Sequence, residues 1–212
     1  MITVGNIHIF AISFIINKIM RTNTSHSWVY GHFIVHINGK KYGNEEDLVS
    51  LEHCTGWIQS LISEHFEEYN PQYKKLPLDE YRNLSMEKIV EMINAVNYHP
   101  PKLDNEYLKK IHSDYTNNCD HRQYMNKCMA LVRDTNITNI GMSSFDSINL
   151  LLLMIDYSND LKRFIVIEYE KRSHVCSEYH VSASAVHDVL CSFLERYEYE
   201  KLNWNNAHTF KW

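Results

Sequence analysis

Apolar and polar positions alternate most clearly over residues 28–37, where they predict a β-strand. The odd positions are strongly apolar, and the even positions carry mostly aromatic or histidine side chains. This period of two is typical of a strand with one buried face. The inward residues are Val29, Phe33, Val35 and Ile37, and the outward residues are Trp28, Tyr30, His32 and His36. Asn38-Gly39 favours a type I′ turn, so residues 40–42 are expected to begin the return strand of a hairpin.

Longer apolar runs predict further strands. Residues 7–16 are apolar on both faces, and residues 149–157 include an unbroken apolar run, which is typical of a central strand covered on both sides. Ser158-Asn159-Asp160 predicts a turn. Residues 163–170 and 175–181 then predict two more strands, so the C-terminal third is expected to form a meander.

Helical spacing of apolar residues predicts a helix over residues 46–66 and a second helix that runs from Ser85 to Val96. Pro100-Pro101 stops the second helix. Residues 103–133 are only weakly helical. A last helix is expected to follow an N-cap at Ser182 or Ser184 and to continue through Tyr197.

This order of elements predicts an α+β fold. The N-terminal hairpin and the C-terminal meander would form an antiparallel sheet, and the helices would pack on it. We expect one domain over residues 1–198, followed by a C-terminal tail over residues 199–212.

Composition narrows the class of protein. A net charge of -5 argues against direct nucleic-acid binding, which usually needs a basic surface. The five cysteines are odd in number and follow no disulfide framework, so free thiols in a reducing compartment are expected. The apolar N-terminal segment, residues 1–20, is too interrupted to span a membrane and lacks the features of a signal peptide. These observations predict a soluble cytoplasmic protein that does not bind a membrane.

The glycines are too scattered for a phosphate-binding loop, a dinucleotide fingerprint or a nucleophile elbow. No catalytic residue, cofactor or metal site is therefore predicted, and protein binding is favoured over enzyme activity.

Three histidine-containing groups leave an alternative open. Four even-numbered residues at and after the start of the predicted strand over 175–181 share one strand face: His174, Cys176, Glu178 and His180. This spacing would let them bind one metal ion. An outward polar face explains them more simply, because no paired metal-binding motif accompanies them. His187 and Cys191 lie one helical turn apart, and His32 and His36 either line a site with Trp28 and Tyr30 or pack beneath a helix.

An acidic stretch is the strongest candidate for a partner-binding surface. No Lys or Arg occurs between Tyr42 and Tyr73. The candidate residues are Glu45, Glu46, Asp47, Glu64, Glu67 and Glu68. The first three suit a helix N-terminus, whereas the last three do not. Such a surface suits a basic protein, although an ordinary solvated face explains it equally well.

The sequence resembles immunity proteins of bacterial polymorphic-toxin and contact-dependent growth inhibition loci. The resemblance rests on three segments: the aromatic-glycine-aromatic segment over residues 28–33, the Asn38-Gly39 hairpin, and Ser144-Phe145-Asp146 before the apolar strand. The resemblance implies a cytosolic protein that binds and neutralises one cognate toxin domain, often a nuclease, without catalytic residues of its own. Two alternatives remain at this point: a small metal-dependent enzyme that uses the strand with His174, Cys176 and His180, and a non-catalytic adaptor subunit.

Overall fold

A computed structural model of the chain describes residues 1–21, 27–43, 45–46, 48–66, 84–87, 89, 138–139, 150–169 and 174–208. The chain divides into two compact units. Unit 1 comprises Met1–Tyr69, Gly141–Ile148 and Val181–Trp212, and unit 2 comprises Asn70–Ile140 and Asn149–His180. The single domain over residues 1–198 stays a prediction.

Unit 1 contains a sheet with the strand order β1-β2-β3-β4, in which β5 also pairs with β3. Its strands are β1 (Ile2–Asn6), β2 (Phe10–Arg21), β3 (Ser27–Ile37), β4 (Lys40–Tyr42) and β5 (Val49–Ser50). The predicted β3–β4 hairpin is confirmed, since Val35 lies opposite Tyr42. Asn38 and Gly39 both have the positive φ that a type I′ turn requires, 49° and 80°. The four inward residues predicted on β3 are buried.

The predicted strand over residues 7–16 is corrected to a hairpin of β1 and β2. Residues 7–9 form its turn, because the Asn6 side chain accepts a hydrogen bond from the His8 backbone N–H at 2.9 Å. The Asn6 carbonyl also accepts a bond from the Ile9 N–H. Asparagine favours such turns by bonding backbone groups two residues on. The predicted central position is confirmed for β2, which pairs with both β1 and β3.

Helix α1 (Leu51–His65) begins later than residue 46, where the sequence predicts its start. The preceding residues Val49 and Ser50 pair with β3 instead, opposite Gly31 and Tyr30. Ser50 then acts as the N-cap, and its hydroxyl accepts a bond from the His53 N–H at 3.4 Å. One side of the helix is buried: Leu51, Cys54, Ile58, Leu61 and Ile62.

Helix α2 (Ala183–His208) packs on the same sheet and is longer than predicted. The Ser182 hydroxyl accepts a bond from the Ala185 N–H at 3.1 Å, which is the capping pattern expected there. The Phe193 ring lies edge-on to Phe14 and Phe33, with centroids 5.1 and 5.4 Å away. Residues 199–208 continue the helix where the sequence predicts a tail. Ion pairs support this segment, because Glu200 pairs with Arg196 one turn earlier and Lys201 pairs with Glu52 of α1.

Unit 2 contains a sheet with the strand order β6-β7-β8-β9. Its strands are β6 (Thr138–Asn139), β7 (Leu150–Asp156), β8 (Leu161–Tyr169) and β9 (His174–Ser182), of which β9 continues two residues beyond this unit. The predicted meander is confirmed: β7 runs antiparallel to β8, and the Leu161 carbonyl accepts bonds from the N–H groups of Tyr157 and Ser158 in the turn.

The middle of β7 is buried on both faces, as its unbroken apolar run predicts. Ile89 packs in a core with Leu153, Ile155, Ile165 and Ile167. The Ile89 N–H donates to the Ser85 carbonyl at 3.1 Å, the bond of a helical turn. The rest of the predicted helix to Val96, and residues 103–133, lie outside the described residues. The α+β class with antiparallel pairing is as predicted, but the N-terminal hairpin and the C-terminal meander lie in two sheets rather than in the one sheet expected from the sequence.

Candidate partner-binding surface

The predicted acidic surface is only partly within the described residues. Glu45 and Glu46 lie exposed between β4 and β5, and Glu64 lies in α1. Asp47, Glu67 and Glu68 lie outside the described residues. Because α1 begins at Leu51, Glu45 and Glu46 do not lie in its N-terminal turn, and for these two acids that expectation is wrong. The clustering of all six acids stays a prediction.

Glu45 has a partner just before the acidic stretch. Its carboxylate accepts a bond from the Lys41 ammonium on β4 at 2.8 Å. This hydrogen bond lowers the pKa of Glu45 below its ordinary value. Glu45 is therefore ionised at neutral pH and presents its charge beside a cation on an exposed hairpin.

Glu52 contacts three elements of unit 1, although the sequence does not mark it as a candidate site residue. Its carboxylate accepts bonds from the Val29 N–H at 2.6 Å and from the Tyr197 hydroxyl at 3.0 Å. The Lys201 ammonium lies 3.3 Å away. Glu52 thus joins α1, β3 and α2 within unit 1, which is a structural role. In the sequence, the position of Glu52 two residues after the helix cap Ser50 is the feature that could have indicated this role.

His36 does not share a site with Trp28. Trp28 and His36 are eight residues apart on β3, a distance of roughly 26 Å along a strand. His36 is buried, and its Nε2 lies 2.7 Å from the Ser13 hydroxyl, which in turn lies 2.8 Å from the Thr3 hydroxyl. This chain of polar groups crosses three strands and satisfies a buried histidine.

The polar face of β9 is occupied by contacts within unit 2. The Arg163 guanidinium binds the Glu178 carboxylate with two bonds, at 2.9 and 2.7 Å. Cys176 packs against the core, and His180 lies edge-on to Tyr157. Over the part of the chain that the structure describes, no group of three or more His, Cys, Asp or Glu is placed to hold a metal ion.

His187 and Cys191 lie on α2 with Nε2 and Sγ 3.5 Å apart. The His187 ring also lies 5.1 Å from the Phe66 ring, centroid to centroid. Both residues are half-buried, so the pair belongs to the flank of the helix where α1 and α2 meet.

Comparison with known families identifies the class of protein. A family model matches residues 1–196, and it describes immunity proteins, the partners of toxins. The chain belongs to this family, immunity protein 42. The predicted resemblance to immunity proteins is confirmed. No curated protein and no solved structure matches the chain.

Family membership gives the coarse function: the protein belongs to a class that binds and neutralises a toxin protein and is generally non-catalytic. None of the helices among the described residues is both long and apolar enough to cross a membrane.

Proposed function

We propose that the protein is the cytoplasmic inhibitor of one cognate toxin domain, encoded in a polymorphic-toxin or contact-dependent growth inhibition locus. It binds that domain with one-to-one stoichiometry and blocks its active site or an adjacent surface. The family match over residues 1–196 carries this proposal. The free thiols of Cys54, Cys176 and Cys191 support a reducing compartment.

The charge of the protein favours a basic toxin, and a nuclease is the basic toxin class that we propose. Enzymes that act on nucleic acids carry cationic surfaces that hold phosphates. An acidic inhibitor is attracted to such a surface, because opposite charges speed association and set the orientation of the two proteins. The net charge of -5 and the exposed Glu45 and Glu46 fit that partner.

The test is calorimetry with the C-terminal domain encoded immediately upstream of this gene. We expect one-to-one binding with nanomolar affinity and no binding to a domain from a non-cognate locus. The complex should also lose the toxin activity measured for the free domain. Absence of binding to the upstream domain would refute the proposal.

Charge reversal tests the predicted acidic surface separately. The variant with Glu64, Glu67 and Glu68 changed to Lys should associate roughly tenfold more slowly at low salt. A second variant, Glu45→Lys with Glu46→Lys, tests the exposed segment before β5. The matched control reverses two exposed acids of unit 2, Asp160 and Glu168. An unchanged association rate in both acidic-surface variants would remove these residues from the interface.

A further inference from the structure

The outward face of α2 combines acidic and apolar side chains in one stripe. At 3.6 residues per turn, the exposed residues of this face fall within about 120° of the helix circumference. They are Asp188, Ser192, Glu195, Glu198, Tyr199 and Leu202. The buried residues of the helix lie on the opposite side, against the sheet: Val186, Val189, Leu190, Phe193 and Tyr197.

Two large apolar side chains on this stripe are unusually exposed. Tyr199 is 55% exposed and Leu202 is 61% exposed, three residues apart on the same face. Scattered exposed apolar residues are ordinary, but an adjacent aromatic and aliphatic pair on a rigid helix is the pattern of a helix that enters a groove. Both residues lie beyond residues 1–196, which the family model matches.

The charge of the stripe is not neutralised by the cations of the helix. The two cations of α2 are both engaged, because Arg196 pairs with Glu200 at 2.7 Å and Lys201 pairs with Glu52 at 3.3 Å. Within the described residues, neither cation pairs with Asp188, Glu195 or Glu198. Glu195 and Glu198 therefore place two negative charges beside the exposed apolar pair, and Asp188 adds a third roughly 16 Å from Tyr199 along the helix axis. The Arg196 guanidinium also lies 5.1 Å from the centroid of the Tyr199 ring.

We propose that this stripe of α2 inserts into a basic groove of the cognate toxin domain, with Tyr199 and Leu202 as apolar anchors and Asp188, Glu195 and Glu198 as the charged rim. This inference rests on the proposed function and specifies the surface used. Charge selects this occupant over a second copy of the chain, because two copies of the stripe would repel each other. The two apolar anchors, Tyr199 and Leu202, stand at i and i+3, a spacing used in helix-in-groove recognition.

The test measures binding of the upstream-encoded toxin domain to two double variants. Glu195→Lys with Glu198→Lys should slow association at least tenfold at low salt, and the difference should shrink at high salt. Tyr199→Ala with Leu202→Ala should weaken affinity at least tenfold, mainly through faster dissociation. All four residues are exposed, so circular dichroism should show the wild-type fold.

Two control variants make the same kinds of substitution at exposed positions outside α2. Ile7→Ala with Ile9→Ala removes a second exposed apolar pair, in the β1–β2 turn, and Asp160→Lys with Glu168→Lys makes the same change in net charge. Both controls should bind like the wild type. Equal slowing by the two charge-reversal variants would show an effect of net charge alone and would overturn the inference.

The remaining outcomes are also decisive. Wild-type binding that survives both α2 variants overturns this inference and leaves the proposed function intact. No binding by the wild type refutes the proposed function and this inference with it. Sedimentation that shows a wild-type dimer, lost in the Tyr199→Ala and Leu202→Ala variant, would assign the stripe to a second copy and overturn the toxin assignment.

Discussion

Removal of the Glu52 carboxylate should destabilise unit 1 more than removal of any of its partners. Glu52 accepts bonds from the Val29 N–H and the Tyr197 hydroxyl, and it lies beside Lys201. Tyr197 is 1% exposed, so water cannot replace the carboxylate as acceptor for its hydroxyl. Burial, together with the Glu52 charge, raises the pKa of Tyr197, so the hydroxyl remains a donor throughout the useful pH range.

The expected magnitude follows from these contacts. Glu52→Ala leaves two donors without their acceptor, at about 1–3 kcal/mol each. Loss of the partly exposed Lys201 pair adds at most about 1 kcal/mol. We therefore expect Glu52→Ala to lower the free energy of unfolding by about 2–7 kcal/mol. Tyr197→Phe removes the hydroxyl donor together with its hydrogen bond, so it should lower the free energy of unfolding by only about 1–2 kcal/mol. Lys201→Met should lower it by less.

The assay is urea unfolding followed by tryptophan fluorescence. The sequence has no tryptophan between Trp57 and Trp204, and Trp28, Trp57 and Trp204 all lie in unit 1, so the signal reports that unit. The free energies come from linear extrapolation to water. Glu168→Ala, on an exposed position of β8, is the control and should change stability by less than about 0.5 kcal/mol.

A double-mutant cycle between Glu52→Ala and Tyr197→Phe should give a coupling energy of at least about 1 kcal/mol. A cost below about 1 kcal/mol for Glu52→Ala, or additive costs in the cycle, would refute the idea that this carboxylate ties the two helices to β3.

Three other predictions test the packing of unit 1. Burial, aided by the Lys41 charge, lowers the pKa of His36 below 6.5, so the unfolded chain takes up the proton more readily. The free energy of unfolding should therefore fall as the pH is lowered from 7.5 to 5.5, and His36→Gln should reduce that fall. An equal dependence of stability on pH in both proteins would exclude His36 as the cause. A Cβ at Gly31 would lie 1.9 Å from the Ile15 carbonyl oxygen, whereas a Cβ at Gly56 in α1 meets nothing within 4 Å. In urea unfolding, Gly31→Ala should lower the free energy of unfolding by about 3 kcal/mol, whereas Gly56→Ala should raise it by up to about 1 kcal/mol. Similar effects at both positions would contradict this geometry. Burial raises the pKa of Cys54 to about 12, so its thiol should not react in the native protein. After treatment with a thiol reagent at pH 8, mass spectrometry should find Cys54 unlabelled in the native protein and labelled in urea. Rapid labelling of the native protein would show that the site opens.

Local patterns in the sequence predicted the elements whose causes are local. The alternation over residues 28–37 and the Asn38-Gly39 turn predicted the β3–β4 hairpin, because strand period and turn chemistry act over a few residues. The apolar run of β7 and the helical periods of α1 and α2 succeeded for the same reason.

The errors lie where competing or distant contacts decide the backbone. The turn over residues 7–9 contains two isoleucines, Ile7 and Ile9, and the side chain of Asn6 bonds its backbone. The start of α1 moved because Val49 pairs with Gly31, a contact that no helical period reports. The apolar pair of the α2 stripe was likewise missed, since Tyr199 and Leu202 fall in the segment that was predicted to be a tail rather than in the continued helix.

Acidic residues show most clearly why the partner-binding surface could not be predicted from the sequence. The absence of nearby Lys and Arg suggested unpaired acids between Tyr42 and Tyr73, yet Glu45 pairs with Lys41, just outside that stretch, and Glu52 pairs with Lys201 at the far end of the chain. Glu195 lies two residues from a tyrosine and beside Arg196, but that arginine binds Glu200 instead. Pairing in the fold, rather than charge along the chain, therefore separates a structural acid from one available to a partner. Glu52→Lys should impair toxin binding by destabilising unit 1, whereas Glu195→Lys should slow association with the fold intact, and urea unfolding distinguishes the two.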